Sequence, residues 1–187
     1  VHNIDSIWAV SVDLRLPDGT PITLLSFRWP PIGDGAEARE KRATAIRETE
    51  ALLAQIPKGR EVVLCGDANG DPGTHQEEGV TGPHGQGVHT AGGEDLPEFA
   101  SDHSLRIMGT WFEKPPGRAT TWRHPRTEVG YTIDHVLVKG RHACWVTDVE
   151  ARELPEVGYS DHRCLFFSVN PLRGRGGHVR KRHRGRC

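Results

Sequence analysis

The sequence predicts an α/β fold from three patterns. Residues 6–27 alternate like a hairpin, residues 36–56 form a long amphipathic stretch feeding a wholly apolar run at 62–65, and five more strand-like runs follow in the second half. Strand, long helix and buried strand in succession make an α/β unit rather than a bundle. A chain of 187 residues suits one domain, read here as residues 1–171. Beyond it, residues 172–187 form a basic tail whose Gly, Arg, Lys and His cannot bury enough surface to fold, so disorder is expected.

Each element has a local cause. Ile7, Ala9 and Ser11 alternate with Trp8, Val10 and Val12, and Pro17-Asp18-Gly19 turns the chain into the apolar run 22–27. Pro30 and Pro31 prevent residues 28–35 from continuing a strand. Ala43, Ile46, Leu53 and Ile56 then recur at helical spacing, with Asp34 placed to cap the helix and residues 57–60 to end it. Residues 66–93 are rich in glycine and hold His75, His84 and His89, the pattern of a functional or disordered loop. A short helix over 94–103 turns Leu96 and Phe99 inward. Strands are expected at 105–112, 119–122, 131–139, 143–149 and 164–169, in mixed or antiparallel connection.

Composition narrows the function. No stretch approaches the roughly 20 apolar residues of a membrane span. The first residues, Val1-His2-Asn3-Ile4-Asp5, lack the features of a signal peptide and read as the interior of something longer. Four cysteines lie far apart without a CxxC pair, which points to reduced, buried thiols and an intracellular setting, the nucleus among the options. Net charge is −1, yet residues 173–187 hold seven Lys or Arg and no acid. The rest carries 17 basic against 25 acidic residues, a net −8 that fits recruitment of a divalent cation.

Three strand ends carry the chemistry. The apolar run 62–65 stops in Gly66-Asp67-Ala68-Asn69-Gly70-Asp71-Pro72-Gly73, and an extended backbone there would point Asp67 and Asn69 the same way. An Asx-type turn closing a strand is the plainer reading of the same residues. Asp134 stands in the middle of the apolar run 131–138, where an unpaired carboxylate is expensive, so a partner is expected. Asp161-His162 precedes the last strand, and a His held by an Asp is a proton donor or phosphate binder with its tautomer fixed. Together these groups suit metal-assisted attack of water on a phosphodiester. A Ser-His-Asp hydrolase lacks its G-x-S-x-G elbow. The spacings of His75, His84 and His89 match no standard zinc site.

The ordered set GDAN (66–69), HGQG (84–87), LPEFA followed by LRI (96–107), TTW with HP (120–125), TIDHVLV (132–138) and YSDH (159–162) resembles the endonuclease/exonuclease/phosphatase superfamily. Within it, the chain is similar to the endonuclease domains of non-LTR retrotransposons and their craniofacial-development-protein-like relatives. The resemblance implies a four-layer α/β sandwich lacking its first strands, dependence on Mg²⁺ or Mn²⁺, and cleavage of DNA, with the remainder of a longer polyprotein as a partner. It assigns water activation to Asp67, a grip on water and phosphate to Asn69, and the metal or water to Asp161. It further gives His162 the scissile phosphate and Asp134 the orientation of His162. Asp67, Asn69 and Asp161 become the metal ligands, and Arg28 and Trp122 the substrate contacts.

Departures from the family pattern are equally definite. The N-terminal metal-binding Glu and its companion Asn have no counterpart. Arg28 stands where a phosphate-contacting Tyr is usual, and Thr90 and Gly109 replace Asn. A second reading is therefore a catalytically inactive remnant that binds nucleic acid through the basic tail, or a protein through an exposed sheet edge.

Overall fold

The structure is a computed structural model and describes residues 6–115, 117–153 and 160–170, so the basic segment 172–187, Tyr159 and the end of the expected domain at 171 lie outside it. The hairpin is β1 (Ala9–Arg15) and β2 (Pro21–Arg28), antiparallel with Ala9 opposite Phe27. From β2 the chain crosses through α1 (Ala36–Ala54) to β3 (Glu61–Asp67), which lies parallel to β2. Next come α2 (Asp95–Asp102) and the short β4 (Leu105–Ile107). A small ribbon of β5 (Trp122–Arg123) and β6 (Gly130–Tyr131) precedes β7 (Asp134–Lys139), and β8 (Val146–Arg152) with β9 (Cys164–Val169) completes the described strands.

Five strands form one mixed sheet in the order β1-β2-β3-β7-β4, in which only β2 and β3 run parallel. Period-two alternation gives each sheet face its own core. Leu25, Phe27, Val62, Leu64, Leu137 and Ile107 pack against Leu52, Leu53, Leu96 and Phe99 of the helices. On the opposite face Ile22, Val63, Val136 and Val138 pack against Val146 and Val149 of β8, with Leu165 and Phe167 of β9 beside them. Helices, mixed sheet and β8–β9 ribbon are three successive layers of the expected α/β sandwich.

Several expectations are corrected. The helix starts with Gly35 at its N-cap, and no side chain, Asp34 included, caps it. Its fully buried positions are Arg42, Ala45, Thr49, Leu52 and Leu53, and Ile46 and Ile56 pack partly buried against the same core, so the expected stripe faces inward but is widened toward Arg42, Ala45 and Thr49. The strand expected over 105–112 ends at Ile107, where a 3₁₀ turn over Met108–Trp111 begins. Likewise, residues 140–145 form a 3₁₀ turn before β8. The run 131–139 is divided between β6 and β7, which makes Asp134 the first residue of its strand rather than an interior one. The thiols are less buried than expected: Cys144 is exposed, and Cys65 and Cys164 are partly buried. Burial nevertheless pushes the Cys65 thiol up to about 12. Among the described residues β1 is an edge strand, and Val10, Val12 and Leu14 on its outer face are exposed.

Arg42 explains the widened stripe. Its side chain is buried on the sheet side of α1, where its guanidinium acts as a hub. Nη1 donates to the carbonyls of Pro30 (2.6 Å) and Ala68 (3.0 Å), Nη2 to that of Gly92 (2.9 Å), and Nε to Asp95 Oδ2 (2.5 Å). The planar fork thus satisfies three loop carbonyls that would otherwise lack a donor. Substituting Arg42→Met keeps much of the packing volume but orphans those carbonyls. Urea denaturation is expected to show a loss of at least about 3 kcal/mol; a loss below about 1 kcal/mol would show that the loops satisfy themselves without the guanidinium.

Candidate active site

Strand register brings the first groups together. Asp67 lies opposite Arg28 in the β2–β3 pairing and opposite Asp134 in the β3–β7 pairing, so the three residues form a row across the end of the sheet. Arg28 Nε stands 3.7 Å from Asp67 Oδ2, with the Arg28 side chain 75% exposed. Asn69 does not continue the strand. Its backbone turns left-handed at φ 45°, a conformation that Asn tolerates better than most residues. The turn carries its amide to Asp67 Oδ1 (2.8 Å), while Nδ2 donates to Asp67 Oδ2 (3.0 Å) and to the Trp29 carbonyl (2.8 Å). The proximity of Asp67 and Asn69 therefore comes from an Asx turn, not from extended alternation. Burial raises the Asp67 pKa most; the Asn69 amide opposes it, Asp134 adds to it, and His162 and Arg28 oppose it.

Asp134 has the partner its position required. His162 Nδ1 lies 2.9 Å from Asp134 Oδ2, which places the ring proton on Nδ1. The backbone of Asp134 is fixed from behind by the fully buried Thr121, whose Oγ1 accepts from the amides of Ile133 (3.0 Å) and Asp134 (3.1 Å). Trp122 forms an antiparallel bridge with His162, and its Nε1 donates to Asp161 Oδ2 (2.8 Å). That indole N–H is the main cause of a lowered Asp161 pKa.

Direct contacts therefore link Arg28, Asp67 and Asn69, and likewise Asp134 and His162, with Asp67 and Asp134 side by side between them. Asp161 and Trp122 join through the bridge at His162. Among the described residues no three His, Cys, Asp or Glu side chains form a group able to hold a metal ion, His75, His84 and His89 included. His75 and His89 are exposed, with ring centroids 6.3 Å apart.

Sequence reasoning missed a buried polar layer beneath the site. Asp71 is fully buried. Its carboxylate accepts from the amides of Gly73 (2.8 Å) and Thr132 (2.7 Å) and from the Val88 amide, joining the glycine loop to the segment that leads into Asp134. His135, also buried, donates from Nε2 to the Gly70 carbonyl (2.9 Å), and burial lowers its pKa so that it stays neutral. A side chain at Gly70 would put its Cβ 2.1 Å from the Gly92 carbonyl oxygen, so this close approach of two loop strands demands glycine. The available signal was a second Asp four residues after Asp67 in a turn otherwise built of small residues.

A mixed α/β sheet whose strand ends gather carboxylates around a His–Asp pair is an architecture of hydrolytic enzymes. The chain belongs to the Endonuclease/Exonuclease/phosphatase family, whose sequence model matches residues 2–162. It is 30% identical over 119 residues to craniofacial development protein 2 of Bos taurus, a match that covers 64% of this chain and 20% of that protein. The chain thus spans about a fifth of the length of the curated relatives it matches. Among solved structures, the endonuclease domain of TRAS1, a telomere-specific non-LTR retrotransposon, aligns with a TM-score of 0.54 at 17% identity, over 87% of this chain and 63% of that one. The 3' phosphatase NExo from Neisseria, bound to a product DNA hairpin, aligns with a TM-score of 0.59 at 18% identity, over 86% and 64%. At such identities the likeness shows the fold. Among the described residues no helix is long and apolar enough to cross a membrane.

Burial pushes the Asp71 carboxyl up to about 6, against the three amides that favour its charged form. A carboxyl raised in the folded state binds its proton there more tightly than in the unfolded chain. Its contribution is therefore complete below the unfolded value near 4 and is lost as pH rises through about 6. Relative to an Asp71→Asn variant, the parent protein is expected to lose on the order of 2 kcal/mol of unfolding free energy between pH 4 and pH 7. Urea titrations at each pH measure the difference, and a constant offset between the two proteins contradicts the assignment.

Proposed function

We propose that this chain carries the catalytic part of a divalent-metal-dependent endonuclease of the retrotransposon type, which hydrolyses phosphodiester bonds in DNA and works within a longer polyprotein. The observation that carries the reading is the cross-strand pair of Asp67, held by Asn69, and Asp134, which holds His162 at 2.9 Å. Asp67, with its pKa raised by burial, is a better proton acceptor for an attacking water than a surface carboxylate. Water adds to phosphorus as its proton passes to Asp67, and the bond to the leaving sugar oxygen breaks, that oxygen taking a proton from solvent water. His162, with its Nδ1–H donated to Asp134, would donate from Nε2 to a phosphate oxygen once that nitrogen also carries a proton. Arg28 and Trp122 stand at the rim as substrate contacts, Arg28 supplying a cation in place of a phenol.

The donor chemistry fits a hard cation. Asp67, Asn69 and Asp161 offer oxygen ligands, and Asn69 offers Oδ1 because its Nδ2 is already engaged. Mg²⁺ or Mn²⁺ is commonly held by one or two carboxylates together with water and substrate phosphate. When bound, such an ion would neutralise charge on the phosphoryl oxygens. The choice of DNA draws on the likeness to a retrotransposon endonuclease domain and to a phosphatase solved with a DNA hairpin.

Supercoiled plasmid incubated with the chain and Mg²⁺ is expected to be nicked. Asp67→Ala and His162→Ala should each slow nicking by about 100-fold or more, and EDTA should abolish it. Failure of the folded parent to nick plasmid would overturn the catalytic reading in favour of an inactive nucleic-acid or protein interaction module.

A further inference from the structure

A cleft of about 490 Å³ opens between β8 and the β5–β6 ribbon, whose Trp122 bridges His162, and none of Asp67, Asp134, Asp161 or His162 lines it. Its walls present four guanidinium groups, from Arg118, Arg123, Arg152 and Arg163. Two carboxylates hold them in place. Glu150 pairs with Arg118 (3.2 Å) and with Arg152, while Glu153 pairs with Arg163 Nη2 (2.6 Å). Backbone carbonyls take further donors, with Arg163 Nη1 on Gly117 (2.5 Å) and Arg123 Nη1 on Glu128 (3.1 Å). Four cations against two anions leave a local charge of +2. Residues 1–172 as a whole carry a net −8, so the cleft runs against the charge of the body around it.

The arginines are anchored as well as charged. The Arg118 carbonyl accepts from Ala151 N (2.7 Å), and Arg163 N donates to the Thr121 carbonyl (2.7 Å). Each guanidinium has five donors and spends only one or two on these partners, so a fork remains for a phosphate oxygen pair. Arg163 and Arg123 are the chain neighbours of His162 and Trp122, which places the cleft one residue beyond the catalytic histidine. A small phosphoester would fill one location or the other. A ligand that engages both must carry phosphates at intervals along a chain.

We infer that this arginine cleft binds the phosphodiester backbone of a polynucleotide, holding a phosphate that flanks the one presented to His162. The inference rests on the polynucleotide reading of the site and names where the adjoining strand lies. Contacts of this kind position the strand and carry no base specificity.

The test is fluorescence anisotropy with a labelled oligonucleotide, the full chain, and salt as the variable. Arg123→Gln and Arg152→Gln, made singly and together, alter side chains with no hydrogen bond or ion pair to Asp67 or His162, and thermal unfolding verifies that each variant remains folded. Each substitution is expected to weaken binding to different sequences equally and to lower the slope of log K against log salt by about 1. The basic tail is present in every protein compared, so the difference isolates the cleft. Unchanged affinity and slope in the double variant would overturn the inference, as would absence of oligonucleotide binding by the parent. Tighter binding of poly-glutamate than of an oligonucleotide of equal charge would also overturn it, pointing to an acidic protein partner. Binding that depends on the cleft without plasmid nicking would refute catalysis alone; nicking with an unchanged salt slope would refute the cleft alone.

Discussion

One guanidinium governs the geometry on which the candidate site depends. Arg42 reaches from α1 to the loop after β2 through Pro30, to the loop after β3 through Ala68, and to the start of α2 through Gly92 and Asp95. Ala68 stands between Asp67 and Asn69, so the carbonyl that Arg42 grips lies inside the turn that shapes the site. Burying an unpaired guanidinium is costly, and the cost is met here only when every loop is in place. The inward helix face includes this side chain beside Ile46 and Leu53, and apolar periodicity passed over it because it is polar.

The same economy extends across the floor of the site. Asp71, His135 and Thr121 are buried polar groups, and each fixes backbone on a different approach to the strand ends. Asp71 accepts amides from both the glycine loop and the segment before Asp134, while His135 reaches from β7 to Gly70. A long loop with few apolar residues obtains its order from these satisfied donors and acceptors. It also contributes Val80 to the core, and the Val80 carbonyl accepts from Ile107 N at 3.0 Å.

What the sequence disclosed was whatever local pattern controls. Alternation in residues 6–27, helical spacing in 36–56 and the apolar run at 62–65 place the sheet and its covering helix, but alternation alone did not show that Ala9 and Ser11 face inward while Val10, Val12 and Leu14 are exposed. That Asp134 requires a partner was legible because a carboxylate beside an apolar strand is expensive, and the family resemblance supplied His162 as that partner. Arg42, Asp71, Thr121 and His135 were not, because nothing within a few residues of each distinguishes a buried polar hub from a solvated surface group. Arg42, His135 and Thr121 find their partners between 12 and 65 residues away along the chain, and Asp71 reaches 61 residues to Thr132. A single glycine in each of the segments 108–111 and 140–145 is too weak a signal to separate 3₁₀ turns from strand.

Electrostatics at the strand ends favour a site prepared for a phosphate. Asp67 and Asp134 are neighbours across two strands, and their mutual repulsion helps raise the Asp67 pKa. Each has its own compensation: Arg28 stands 3.7 Å from Asp67, and His162 lies 2.9 Å from Asp134. The two compensations differ in kind. His162 is fixed by a short hydrogen bond, whereas Arg28 is mostly exposed and too far from Asp67 for a direct hydrogen bond. A screened, flexible ion pair of that sort contributes little to stability. Arg28 is therefore able to turn toward an incoming phosphate without loss to the fold, and its departure would leave the Asp67 carboxylate facing the water or cation that the chemistry requires. On the proposed reading, an arginine at this position would offer a phosphate a charged, forked donor and add positive charge at the rim of an otherwise acidic body.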